Sequence, residues 1–200
     1  MKLSFLPKPP TNKIDEYIKY IHANPGCKWS KYIQIENKPI QYLEIGVHKG
    51  ENLFDIAKSY CQHPDSRMYC VDPWMDYDEY PEYKGKQDIL FGIFKNTIKL
   101  HENKCILHRG FSDDIVPTFP NNFFDIVFVD GNHETEFVYR DGKMSFEKVK
   151  SGGYIIFDDY SSDWPQTMIG VNKFLNEYFE KIKIHAHPTR QFYQVIIQKL

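Results

Sequence analysis

Short apolar runs bounded by glycine, proline or an acid recur along this chain, and longer stretches between them repeat their apolar residues every three or four positions. The runs Ile40 to Val47, Arg67 to Asp72, Cys105 to Arg109, Phe124 to Val129 and Tyr154 to Phe157 are too short for buried helices and rich in β-branched and aromatic residues, which predicts strands. Glu51 to Tyr60, Lys84 to His101, Thr135 to Val149 and Gly170 to Lys181 carry the helical period, with Ile89, Leu90, Ile93, Phe94 and Ile98 expected to face inward from the second. Alternation of this kind predicts an α/β protein with a doubly wound, mostly parallel sheet. Two extended runs near the end, Lys183 to His187 and Phe192 to Gln198, form a closing hairpin that adds an antiparallel strand, for seven strands in all. Ahead of the sheet, Ile14, Tyr17, Ile18 and Ile21 share one face of an N-terminal helix over Asn12 to His22, ended by Pro25-Gly26. The expected organisation is a single domain over residues 1–200, with a helical extension over 1–38 and a core over 39–200.

Composition narrows the partners. With 42% hydrophobic and 26% charged residues and a formal charge of -2, the chain has no general attraction for a phosphate backbone or an anionic membrane. Neither nucleic acid nor a membrane is an expected partner. The opening Met1-Lys2-Leu3-Ser4-Phe5-Leu6-Pro7 has too short an apolar run for a signal peptide and no segment is long enough to cross a bilayer, so a cytoplasmic protein is expected. Cys27, Cys61, Cys70 and Cys105 form no CxxC pair, which points to buried free thiols rather than a zinc site or a disulfide framework.

Ligands of open α/β sheets bind beyond the carboxyl ends of the strands, and Glu44, Asp72, Ser112, Asp130, Asp158 and Asp159 all fall at or just past such ends. The first strand leads into Glu44-x-Gly46-x-x-x-Gly50, where His48 stands in the place a second glycine often takes. The missing GxGxxG argues against a dinucleotide. An acid one turn before the glycines is awkward for a diphosphate but suits a ligand with an ammonium group, and Asp72 can accept hydrogen bonds from ribose hydroxyls. A cationic nucleoside without phosphates satisfies both acids.

The strands ending in Asp130-Gly131-Asn132-His133 and in Asp158-Asp159 are neighbours in the expected topology, which would set three carboxylates side by side. Such crowding in a partly dry cleft is strongly repulsive, and a bound cation relieves it. All-oxygen ligands favour Mg²⁺ or Mn²⁺. His133, a few positions along the loop from Asp130, is spaced to reach a hydroxyl bound beside that ion.

These motifs, from about Ile40 to Gly170, resemble the class I S-adenosylmethionine-dependent methyltransferases. The resemblance implies a Rossmann-like methyltransferase fold, with Glu44 and Gly46 near the cofactor's methionine half, Asp72 on its ribose, Ser112 and Asp113 of Gly110-Phe111-Ser112-Asp113-Asp114 on its adenine, and Gly50 and Asp130 also in the cofactor site. Asp-x-x-His followed by an acidic pair further resembles the metal-dependent sugar O-methyltransferases of the macrocin type. That likeness implies Asp130, Asp158 and Asp159 as magnesium ligands, His133 as the base, and a free or glycan-linked sugar as acceptor. Catechol-type enzymes share the metal logic but have lysine as the nearby base. The alternatives are a catechol-like enzyme and a non-catalytic nucleoside-binding module, and homo-oligomerisation is left open.

Two further stretches are placed to wall the cleft: the aromatic, acidic Pro73 to Tyr83, as a lid, and Tyr160 to Gln166. Arg140, Lys143, Lys148 and Lys150 are expected to form a solvated face.

Overall fold

A computed structural model describes residues 29, 32–34, 36, 38–77, 79–186 and 193–200. The expected helix over Asn12 to His22 and Cys27 lie outside these. Seven strands, β1 (Gln41–Ile45), β2 (Arg67–Asp72), β3 (Cys105–Arg109), β4 (Phe124–Val129), β5 (Val149–Phe157), β6 (Ile182–Ala186) and β7 (Val195–Lys199), form one sheet in the order β3-β2-β1-β4-β5-β7-β6. All pairings from β3 to β5 are parallel, and β7 runs antiparallel between β5 and β6. The closing hairpin therefore inserts its second strand beside β5 and leaves its first at the edge.

The helices are α1 (Glu51–Lys58), α2 (Gln87–Ile98), α3 (Ser112–Ile115), α4 (Thr135–Lys148) and α5 (Pro165–Tyr178). One face of the sheet packs on α1 and α2 through Leu53, Ile56, Phe94 and Ile98, with Trp29 against Phe128 at 5.2 Å between ring centroids. The other packs on α4 and α5 through Val138, Val171 and Phe174. Burying each of these large side chains contributes about 1.5–3 kcal/mol. Gly142 and Gly170 let α4 and α5 seat closely, since a Cβ at Gly142 would lie 2.9 Å from the Phe157 ring and one at Gly170 2.7 Å from the Thr135 carbonyl.

Several expectations need correcting. Helix α5 begins at Pro165 rather than Gly170, because proline at the first helical position needs no amide partner there. Ile89, expected inward, is 57% exposed, because the buried stripe of α2 runs through Leu90, Phe94, Thr97 and Ile98. Lys148 is buried, its Nζ donating to the Pro117 carbonyl and to Asn121, while Lys150 lies on β5 and pairs with Asp125. Cys61 and Cys70 are buried free thiols, as expected, and burial pushes the Cys61 thiol up to about 12. No helix among the described residues is long and apolar enough to cross a membrane.

Strand β1 carries a buried acid and runs into a glycine that no other residue could replace. Glu44 is 2% exposed and its Oε2 accepts hydrogen bonds from the Tyr42 hydroxyl at 2.5 Å and from Asn52 at 2.9 Å. Burial, partly offset by those bonds, raises its pKa to about 8. Past the strand, Gly46 has φ +84°, and a Cβ there would stand 1.9 Å from the Asp130 carbonyl oxygen. Only glycine permits both that conformation and that approach.

Substitution of Gly46 by alanine should cost about 3 kcal/mol or more, adding backbone overlap to left-handed strain. Gly85→Ala, at φ +72° with open space around it, isolates the strain and should cost only about 1–2 kcal/mol. Urea unfolding of both variants checks the difference; equal losses would remove the close approach as the reason for glycine. A second expectation concerns pH. Because the folded state raises the pKa of Glu44 above the unfolded value near 4.5, folded protein binds the extra proton between about pH 4.5 and 8 and loses that stability as pH rises through this window. Glu44→Gln keeps the shape without the ionisation, so its stability should fall less than the parent's over the same pH steps.

Candidate functional site

The carboxyl ends of β1 to β5 surround a cavity of about 520 Å³. Backbone pairing continues past the strands and fixes its floor: Gly46 N–H donates to Val71 O at 2.9 Å, Asp130 N–H to Ile45 O at 2.9 Å, and Asp158 N–H to Val129 O at 3.1 Å. At one end lies Asp72, whose two carboxylate oxygens accept the backbone amides of His48 and Trp74, each at 2.8 Å. Burial raises the Asp72 pKa and these amides partly restore it. Asp72 thus closes the glycine loop against the start of the lid. His48 adapts to the position usually given to glycine by adopting φ +50°, a conformation histidine tolerates better than most residues. Burial lowers its pKa to about 4, so it is neutral, and its Nε2 is buried without a partner among the described residues.

The wall beyond β3 and β4 brings Ser112 and Asp113 together with α4. The Ser112 hydroxyl donates to Asp141 at 2.6 Å, and Asp113 pairs with Arg140 at 2.9 Å. Asp141 is 2% exposed, and burial raises its pKa to about 6 despite the Ser112 bond. Arg140 is thus part of the cavity wall while its side chain stays 38% exposed, and its Nε is buried without a partner among the described residues. The periodicity of α4 points Arg140 outward, and Asp113 of the loop after β3 draws it to the rim of the cavity.

Opposite, Asp130, His133 and Asp159 offer ligand atoms that all lie within 4.8 Å of one another. His133 Nε2 is 2.9 Å from Asp159 Oδ2 and 3.9 Å from Asp130 Oδ1. Burial, followed by the charges of Asp158 and Asp159, drives the Asp130 carboxyl well above the usual carboxylate range. Asp158 stands behind this group: its Oδ1 accepts the Asp159 amide at 2.9 Å, its carboxylate also bonds Gln194, and burial and Asp159 raise its pKa to about 6. Gln194 in turn accepts from Trp29 Nε1 at 2.7 Å. Glu44 lies in a buried cluster with Tyr42 and Asn52, directly before the cavity-lining Ile45 and Gly46. Gly50, at φ +78°, opens α1 and packs on Phe94.

The aromatic segment after Asp72 does cover the cavity, with Trp74, Tyr77, Tyr80 and Tyr83 lining it. Its Glu79 Oε1 lies 2.6 Å from His133 Nδ1, and Trp164, from the second expected wall, stacks on the His133 ring at 4.2 Å. Burial alone would lower the His133 pKa, but the bonds to Asp159 and Glu79 outweigh it and raise it to about 9. Non-glycine residues with positive φ among those described are His48, Trp74, Asn122 and Asp159, and all but Asn122 line the cavity. Backbone strain concentrated there is what a functional site stores.

The carboxylates and the imidazole crowd one side of this cavity, and unpartnered His48 and Arg140 nitrogens stand on the other walls. Oxygen-rich donors suit a hard divalent ion, and the unpartnered atoms suit a polar ligand. The chain is similar to several known proteins. Protein R132 of Acanthamoeba polyphaga mimivirus is 39% identical over 147 residues, an alignment spanning 69% of this chain and 60% of that protein. Among solved structures, the O-methyltransferase TomG of Streptomyces achromogenes, crystallised with S-adenosylmethionine, superposes with a TM-score of 0.61 at 17% identity over 80% of this chain and 72% of that one. CalS11, a TDP-rhamnose 3'-O-methyltransferase of calicheamicin biosynthesis, does so with a TM-score of 0.54 at 17% identity over 80% of this chain and 71% of that one. The family profile described as a methyltransferase domain matches residues 43–160, the stretch that builds β1 to β5 and the cavity at their ends, and the chain belongs to that methyltransferase-domain family.

Proposed function

We propose that the protein is an S-adenosylmethionine-dependent, divalent-metal-assisted O-methyltransferase acting on a sugar hydroxyl. The observation that carries this reading is the placement in one cavity of Asp72 and Ser112 at one end and the Asp130, His133 and Asp159 group at the other. In this reading Asp72 accepts from the ribose, Ser112, Asp113 and Arg140 border the adenine, and the backbone at Gly46 admits the methionine half. Asp130 and Asp159 hold the ion, with Asp158 beside them as the third carboxylate.

When bound, S-adenosylmethionine supplies a sulfonium methyl whose carbon bonds to the acceptor oxygen while the C–S electron pair stays on sulfur. A divalent ion supplies a lowered pKa for the hydroxyls it binds. The chain's own task is the proton. His133 Nε2 faces the acidic group and takes the hydroxyl proton there, with Trp164 holding the ring face. A sugar with neighbouring hydroxyls matches an ion with open positions, and Tyr77, Tyr80 and Tyr83 offer ring faces for it to stack on. Support for a sugar also comes from the TDP-rhamnose acceptor of CalS11. A small aromatic diol is the second reading, since those rings suit a flat acceptor as well.

Calorimetry should show binding of S-adenosylmethionine and its demethylated product, weakened by Asp72→Ala by about 1.5–3 kcal/mol; binding of NAD instead would sink the cofactor assignment. Methyl transfer should stop in EDTA and return with Mg²⁺ or Mn²⁺, while Asp130→Ala and Asp159→Ala should abolish the recovery. Full turnover in excess chelator would refute the metal role. With labelled cofactor and a panel of sugars and catechols, transfer to a sugar diol is expected, and His133→Ala should lower kcat by about 10²- to 10⁴-fold with cofactor binding intact. Transfer to catechol alone, undiminished in that variant, would overturn both the base and the sugar.

A further inference from the structure

His133 is gripped from a segment remote in sequence. Glu79 Oε1 lies 2.6 Å from the ring Nδ1 and also accepts the His133 backbone amide at 2.9 Å, so one oxygen fixes both the main chain and the ring of the same residue. The Tyr80 hydroxyl is 3.1 Å from the same Nδ1, and the Tyr80 ring meets the imidazole edge-on. Both Glu79 and His133 side chains are only 12% exposed. The segment carrying Glu79 is held at both ends. Arg109 donates to the Trp74 carbonyl at 2.9 Å, and the Gly85 amide donates to both oxygens of Asp76 at 2.9 and 3.0 Å. Trp164 closes the remaining ring face.

A neutral imidazole has one donor and one acceptor nitrogen, and the partner of one nitrogen decides the role of the other. A carboxylate accepts and cannot donate, so Glu79 holds the hydrogen on Nδ1. Asp159 exerts the same pull on Nε2 at 2.9 Å, so the contest goes to Glu79 only once Asp159 is engaged by a cation, which leaves Nε2 with the free lone pair. Resting on the methyltransferase reading above, we propose that Glu79 is a positioning residue of this reaction: from the lid it fixes the tautomer and ring orientation of His133 so that Nε2 receives the acceptor's proton. A consequence is that the base is completed by the segment that covers the cavity, which ties its competence to the lid being in place.

The test is Glu79→Gln in the full chain. Its carboxamide can donate to Nδ1, which permits the opposite tautomer. In ¹⁵N-histidine-labelled protein saturated with Mg²⁺, at a pH where the ring is neutral and with the His133 signals identified by their loss in His133→Ala, the parent should show a protonated Nδ1 and an unprotonated Nε2. Glu79→Gln should shift the population toward a protonated Nε2. With the acceptor found in the panel, kcat should fall roughly 10- to 100-fold, as for other carboxylates that orient a working histidine, while the affinity for S-adenosylhomocysteine stays the same. A parent with its hydrogen on Nε2, an unchanged tautomer in the variant, or a loss confined to KM and cofactor affinity would overturn the assignment and leave Glu79 as a lid tie only. The spectra need no turnover, so they decide the Glu79 assignment even if no acceptor is methylated, an outcome that would count against the proposed function instead.

Discussion

The close approach of Gly46 to the Asp130 carbonyl is the contact on which the rest of the site depends. With a Cβ excluded at 1.9 Å, the end of β1 and the end of β4 press backbone against backbone. The amide of Asp130 completes the join through Ile45 O, and Asp158 repeats it through Val129 O. The glycine loop and the acidic group are therefore parts of one rigid floor rather than two loops that happen to face each other. Packed interiors deform little, so the distance between the two halves of the cavity is set by the sheet.

Charge is the second organising term. Glu44, Asp72, Asp130 and Asp158 are all pushed up in pKa, by burial first in each case. The His133 imidazolium between Glu79 and Asp159 is the positive group set among them. A divalent ion would take over that neutralising role, which would free the imidazole for proton transfer. The same crowding would make no sense in a merely structural strand end, where water would solvate each acid separately.

The lid shows how function is distributed over elements of different rigidity. The floor is made by strands; the cover is a segment without regular period, tied down through Asp72, Arg109, His48 and His133. Cover segments of this kind come from the less stable end of a structure by necessity, since they must move for a ligand to enter. His133 sits where the two meet, gripped by Glu79 from the cover and by Asp159 from the floor.

By itself the sequence determined the alternation of strands and helices, the addition of an antiparallel strand near the end, and the set of acids at the strand ends, because helical and strand periods are local and parallel-sheet connections follow few routes. Asp72, Ser112, Asp130, His133 and Asp159 were legible for that reason: each ends a readable strand or follows one closely. Tertiary structure alone decided that Glu79 grips His133, that Arg140 lines the cavity, that Asp158 turns to Gln194 and that Ile89 faces out. The segment from Pro73 to Tyr83 has no period and hence no register to read, so the sequence marked it as a cover without saying which of its acids reaches inward. Arg140 lies on the outer face of an amphipathic helix and borders the cavity only because Asp113, on the loop after β3, pairs with it. Where a side chain's partner lies on a different element, at a separation that no local pattern encodes, the fold is what chooses it.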